Sequence, residues 1–160
     1  MAQTSYTVER SEVMRADAER IFAELSDFHR WPTWSPWEDL DPAMHRTYTG
    51  PERGTGAVYE WSGNRKAGEG RMEITSAHQQ GRRGTVVIDL RFRKPMRSSN
   101  VTTFLLEPAD DDTRVTWRMV GPQTLGTRVM GLFTSMDKLV GKDFAKGLER
   151  LRRQVEKPAP

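Results

Sequence analysis

Residues 127–155 read TRVMGLFTSMDKLVGKDFAKGLERLRRQV. Val129, Phe133, Met136, Val140, Phe144, Leu148, Leu151 and Val155 recur at three- or four-residue spacing. That is one apolar stripe of an amphipathic helix, from about Thr127 to Val155. At 1.5 Å per residue it spans roughly 40 Å. Arg128, Lys138, Lys142, Lys146 and Arg153 project from the other side, interrupted by Glu149 and Glu156, which marks a solvated face. Gly131, Gly141 and Gly147 each cost about 1 kcal/mol relative to alanine in a helix interior. Gly147 lies on the stripe side, which predicts close approach of a sheet or a ligand there.

Upstream, from about Arg46 to Val120, the period changes to two. Ala57, Tyr59 and Trp61 alternate with Val58, Glu60 and Ser62, and Gly63-Asn64 supplies turn chemistry after them. Met72 and Ile74 alternate with Arg71, Glu73 and Thr75. Val86, Ile88, Leu90 and Phe92 alternate with Thr85, Val87, Asp89 and Arg91, and Pro95 closes that run. Thr102, Phe104 and Leu106 follow, then Val115, Trp117 and Met119 after the turn Asp110-Asp111-Asp112. Such alternation buries one face and wets the other. Repeated through hairpins, it predicts a meander whose inner face is aromatic and aliphatic.

The N-terminal part adds a strand over Ser5–Met14 and a short helix capped by Asp17, with Ile21, Phe22 and Leu25 on one face. From Asp27 to Pro42 aromatic residues and prolines intermix: Phe28, Trp31, Pro32, Trp34, Pro36, Trp37. Prolines at that density exclude a long helix, so one short helical turn and an ordered loop are expected. The fold class is α+β: a curved antiparallel sheet of six to seven strands around a long C-terminal helix, with two short helices after the first strand. A single domain over 1–156 and a disordered tail over 157–160 are expected.

The last helix is the only partner long enough to cover the sheet's apolar face. A sheet of this width curls around it by natural twist, and inner-face residues away from the helix axis point into a gap. At this point the chain resembles the polyketide cyclase/dehydrase and lipid-transport family of the START-like superfamily, whose fold is the helix grip. The resemblance runs from about Thr7 to Glu156. It rests on Phe22-Ala-Glu-Leu-Ser-Asp27 with Trp31 and Trp34-Ser-Pro-Trp37, on Gly56-Ala-Val-Tyr59-Glu-Trp61, and on Gly68-Glu-Gly70-Arg-Met72-Glu-Ile74. Phe92-Arg-Lys-Pro95, Thr113-Arg-Val115-Thr-Trp117 and Gly141-Lys-Asp-Phe144-Ala-Lys-Gly147-Leu148 complete it. It implies the helix-grip fold and a habit of binding hydrophobic molecules. No family catalytic motif stands in this chain to be carried over.

Composition bounds the chemistry. The chain has 160 residues, no cysteine, and a net charge of +3 with acids and bases mixed. This excludes disulfides, thiolate metal sites and a cysteine nucleophile, and it does not suit a dedicated nucleic-acid binder. Met1–Arg10 has no apolar core of a signal peptide, and no run approaches the ~20 apolar residues of a membrane span. A cytoplasmic location without stable membrane insertion is expected. His29, His45 and His78 are scattered, the latter two on expected surface turns, so no metal site is predicted. Gly54-Thr-Gly56 precedes a strand and is no phosphate loop, and no cofactor is predicted.

The expected ligand-binding residues are Trp34, Trp37, Tyr59, Trp61, Met72, Leu90, Phe92, Phe104, Trp117, Met130, Phe133 and Met136. Tyr59, Trp61 and Trp117 point inward by strand phase, and their polar edges suit orienting a ligand in an apolar cavity. Glu60, Arg71, Glu73, Asp89, Arg91 and Arg118 fall on the opposite phase as an ion-paired outer surface. A register slip or bulge would turn Glu60 or Asp89 inward as a base. Three functions stay open: a carrier of a small hydrophobic ligand, an enzyme of the cyclase or aromatase type, and a ligand-free interaction module. Oligomeric state is not readable.

Overall fold

Each expected run of alternation forms a strand, and the strand expected over Ser5–Met14 covers those residues. The computed structural model describes residues 5–122 and 132–158. The chain runs β1 (Ser5–Met14), α1 (Ala18–Leu25), two 3-10 turns (Phe28–Thr33 and Pro36–Asp39), then β2 (His45–Thr49) and β3 (Val58–Ser62). β4 (Glu69–Gln80), β5 (Arg83–Lys94), β6 (Ser98–Ala109) and β7 (Asp112–Pro122) follow, and α2 (Leu132–Val155) closes the fold.

The seven strands form one antiparallel sheet in the order β1-β7-β6-β5-β4-β3-β2. β2 to β7 are a meander, and β1 joins its far edge by pairing with β7. Register shifts between β4 and β5 fall at Glu69/Gly70 and Ile74/Ser76. Bulges of this kind bend the strand and increase its local twist, which helps the sheet to curl.

The prolines act as expected in the Trp-rich stretch. They leave two 3-10 turns there instead of one helical turn, and Pro36 opens the second. Asp17 occupies the N-cap of α1 in extended conformation, but its side chain makes no capping bond. The cap bond comes instead at the next turn, where the Asp27 carboxylate accepts from the His29 backbone N–H at 2.9 Å. His45 and His78 lie on β2 and β4 and not on turns, with outward phase.

α2 runs along β1 and is fastened to it by ion pairs of Arg10 with Asp137 and Glu12 with Arg152, and just beyond the two elements Arg15 pairs with Glu156. Its stripe residues Phe144, Leu148, Leu151 and Val155 are buried, while Lys138, Lys142, Lys146 and Arg153 are exposed. The predicted start of the helix near Thr127, together with Val129, Met130 and Gly131, lies outside the described residues.

Candidate functional site

Two transverse rows of the sheet's inner face differ in how completely their central side chains are covered. The first comprises Arg10, Trp117, Phe104, Val86 and Ala77, paired strand to strand. Trp117 and Phe104 pack at 4.9 Å between ring centroids, and Trp34 meets both edge-on at 5.5 and 5.9 Å. Trp31 lies 4.8 Å from Trp34, its indole N–H donating to the Leu25 carbonyl at 3.1 Å. α2 seals this end through Phe144. Val86, Phe104, Trp117 and Phe144 are 0 or 1% exposed. Edge-to-face pairs of this kind add roughly 0.5–1.5 kcal/mol each beyond area burial, so this end is a rigid packed core.

The second row lies nearer the other end of the sheet. Tyr6 faces Gly121 across β1–β7, and Asn100, Leu90, Met72, Tyr59 and Tyr48 continue it from β6 to β2. Here inner-face side chains keep a little accessible surface. Tyr6, Trp61, Met72, Leu90, Asn100 and Met119 are each 6 to 9% exposed. Phe92, one step further along β5, is half-buried. The Trp61 indole lies directly over Gly70, where an added Cβ would come within 2.5 Å of the ring. Asn100 is a polar group in this otherwise apolar row, and its amide oxygen accepts from the Thr102 hydroxyl at 2.9 Å. Burial raises the Tyr6 phenol above its usual value, with Asn100 pulling the other way.

A buried polar cluster closes the β2–β3 side. Glu38, in the second 3-10 turn, accepts from the Tyr59 hydroxyl at 2.9 Å and from Arg46 Nε at 2.9 Å. Arg46 also donates to the Glu38 carbonyl at 3.2 Å. Burial pushes the Tyr59 phenol far above its usual range, and the neighbouring Glu38 carboxylate pushes it further. Tyr48 stacks on His29 at 4.1 Å, and His29 Nδ1 lies 3.0 Å from the Asp27 carboxylate. An open hollow of about 260 Å³ lies beside His29 and Tyr48, against the Gly50–Glu52 loop.

The expected site residues thus separate. Trp34, Phe104 and Trp117 belong to the packed end, and Tyr59 is pinned beneath Glu38. Trp61, Met72 and Leu90, each 8% exposed, and half-buried Phe92 lie at the other end of the inner face. Trp37 is half-buried against Trp117, with its indole N–H on Asp143 at 3.1 Å. For Phe133 and Met136 only the backbone, on α2, is described; Met130 lies outside the described residues. Sequence reasoning missed Glu38, Arg46, Asn100 and Tyr6. Asn100 and Tyr6 share the strand phase of Thr102 and Val8, so alternation carried the signal, but Glu38 sits in a loop with no period to read.

The outer-face charges stay outside despite the bulges. Arg71 pairs with Glu73 at 3.0 Å, Arg91 with Asp89 at 3.1 Å and Arg118 with Glu9 at 2.5 Å, while Glu60 lies between Arg71 and Arg93. Both register shifts lie in the β4–β5 ladder, and Glu60 and Asp89 keep their outward phase. Among the described residues no group of three or more His, Cys, Asp or Glu gathers as a metal site, and no helix is long and apolar enough to cross a membrane.

A seven-stranded antiparallel sheet gripping a C-terminal helix is the helix-grip fold of the START and Bet v1-like proteins. Residues 5–156 match the profile of one family within that class, and the chain belongs to the family described as "Polyketide cyclase / dehydrase and lipid transport". Among solved structures it is similar to a hypothetical protein of Helicobacter pylori, at 10% identity and TM-score 0.73, covering 96% of this chain and 89% of that one. A Thermobifida fusca protein aligns at 20% identity and TM-score 0.66, over 96% and 97% of the two chains. The major latex-like protein 151 of Panax ginseng aligns at 11% identity and TM-score 0.60, over 96% and 99%. No curated protein matches the chain.

Proposed function

We propose that this protein binds a small hydrophobic molecule, a lipid or an aromatic compound, between the less filled end of the sheet and α2, as a carrier or sequestering protein. The observation that carries the proposal is the contrast between the centres of the two rows, where Val86, Phe104 and Trp117 are 0 or 1% exposed and Leu90 and Met72 are 8% exposed. Side chains around Trp117 are sealed, whereas those around Leu90 and Met72 keep surface that a ligand would cover. Trp61, Met72, Leu90, Phe92 and Met119 supply the apolar wall. Asn100 and the Tyr6 hydroxyl supply the few polar contacts that fix orientation in such sites.

The test is native mass spectrometry of the purified protein, with extraction of whatever travels with it, followed by titration with a fluorescent fatty acid. Saturable binding that Leu90→Trp and Met72→Trp abolish, with the fold intact by circular dichroism, is expected. Binding that survives both fillings, or none with any hydrophobic probe, would sink the proposal.

A cyclase-type activity is the second reading, and the buried Glu38–Tyr59 pair favours it. A phenol that donates to a buried carboxylate 2.9 Å away forms a hydroxyl–carboxylate pair of the kind that relays a proton. In that reading Tyr59→Phe removes turnover of a polyketide-like substrate while leaving its binding intact. Equal turnover by the wild type and Tyr59→Phe would exclude the role.

A further inference from the structure

We propose that the end of the sheet formed by the β3–β4 turn and the β5–β6 hairpin is a docking surface for an anionic lipid bilayer. The two turns are neighbours: Glu69 pairs with Lys94 across β4–β5, and the Gly68 backbone packs against the Lys94 carbonyl. Together they carry Arg65, Lys66, Arg93, Lys94 and Arg97. Arg93 is neutralised by Glu69 at 3.0 Å and Glu60 at 3.6 Å. The other four are exposed and make no ion pair among the described residues. The carboxylate of Asp41 is occupied in pinning the tip, accepting from the Asn64 backbone N–H at 2.9 Å.

Met96 stands at the crown of this cluster, 70% exposed, next to exposed Pro95. A large apolar side chain is displayed at a hairpin tip at the cost of hydration, and here it is ringed by cations. Stable attachment to a membrane takes two weak signals together, typically a basic patch and an inserted apolar group, and both meet here. A surface for single-stranded nucleic acid would pair its cations with exposed aromatic rings that stack on bases. None stands on these two turns. The opposite end of the same strands is mixed in sign, with Asp110, Asp111 and Asp112 beside Arg82 and Arg83. The tip thus holds four exposed cations with no ion pair among the described residues, whereas the opposite end mixes acids with bases.

Docking in this way places the less filled end of the inner face toward the bilayer. The inference stands apart from the ligand proposal, because adhesion needs no occupied pocket.

The experiment is co-sedimentation with vesicles of phosphatidylcholine alone and of phosphatidylcholine mixed with phosphatidylserine, at low and high salt. Binding to the anionic vesicles that weakens with salt is expected. Neutralising two cations by Lys94→Gln with Arg97→Gln should lower the partition coefficient about 30-fold, from roughly 1 kcal/mol for each basic side chain near the surface. Met96→Ala should lower it roughly five-fold without changing the salt dependence. Asp111→Asn at the other end serves as the control that leaves it unchanged, and melting temperatures confirm that each variant is folded. The proposal is overturned if the wild type ignores anionic vesicles or if the double variant binds as the wild type does. Binding of a DNA duplex through Lys94 and Arg97, with no response to Met96→Ala, would overturn it in favour of a nucleic-acid surface.

Discussion

The indole of Trp117 lies flat against the ring of Phe144, with centroids 4.2 Å apart and planes 7° from parallel. This stack joins the middle of β7 to α2 and closes the packed end of the grip. Its consequence is the glycine one turn further along: a Cβ on Gly147 would lie 2.8 Å from the Trp117 ring and 3.1 Å from Pro36 Cδ. Gly147→Ala gains up to about 1 kcal/mol of helix propensity, yet overpacking costs ~1–3 kcal/mol. A net loss in urea unfolding is expected, together with a loss of about 3–5 kcal/mol for Phe144→Ala. A stabilised Gly147→Ala variant would mean that the helix can withdraw from Trp117.

Gly141 shows a different dependence. The Arg10 guanidinium occupies the space its Cβ would take, and from there it reaches the Asp137 carboxylate at 3.3 Å. Gly141→Ala is therefore expected to destabilise the wild type by displacing Arg10. In an Arg10→Ala background the same change should stabilise by about 1 kcal/mol, since only helix propensity remains. The double-mutant cycle measures this coupling, and additive effects would show that the two sites ignore each other.

All three tyrosines, Tyr6, Tyr48 and Tyr59, have phenol pKa values raised chiefly by burial. A folded-state value above the unfolded value of about 10 means that folding is favoured while the phenols stay protonated. Their contribution is whole below pH ~10 and is lost as pH rises through the folded values, because only the unfolded chain then ionises freely. Alkaline titration of tyrosinate absorbance should show no normal phenol before unfolding. A tyrosine titrating near its ordinary value in the folded protein would contradict the packing around Glu38 and Asn100.

Arg46 is the only cation in contact with the buried Glu38 carboxylate among the described residues. Removing it by Arg46→Met leaves a desolvated charge, a change expected to cost about 3 kcal/mol. Adding Glu38→Gln should recover much of that loss, because a neutral amide needs no counter-ion there. Chemical denaturation of the two single variants and the double variant checks this. A double variant no better than Arg46→Met would assign the loss to the packing of the arginine stem.

The strands, the inward set of aromatic residues and the amphipathic helix were legible in one dimension. Each rests on a period, and a period of two or of about 3.6 is local information. The outward phase of Glu60, Asp89, Arg91 and Arg118 followed from the same alternation, and the bulges in β4–β5 did not overturn it. Even the demand for a small residue at Gly147 was readable from its place on the stripe.

Tertiary structure decided which inward residues touch one another and which are left less covered. Trp34, Trp117, Leu90 and Met72 all face inward by sequence, but only the course of α2 along β1 and of α1 over the sheet separates sealed from accessible. The Glu38–Arg46–Tyr59 cluster joins a loop to two strands with no repeating signal. The basic tip unites two turns distant in sequence that meet because β4 and β5 pair. Local patterns determine which face of an element is apolar; the contacts between elements, made across long sequence separations, determine where polar groups converge and where space remains.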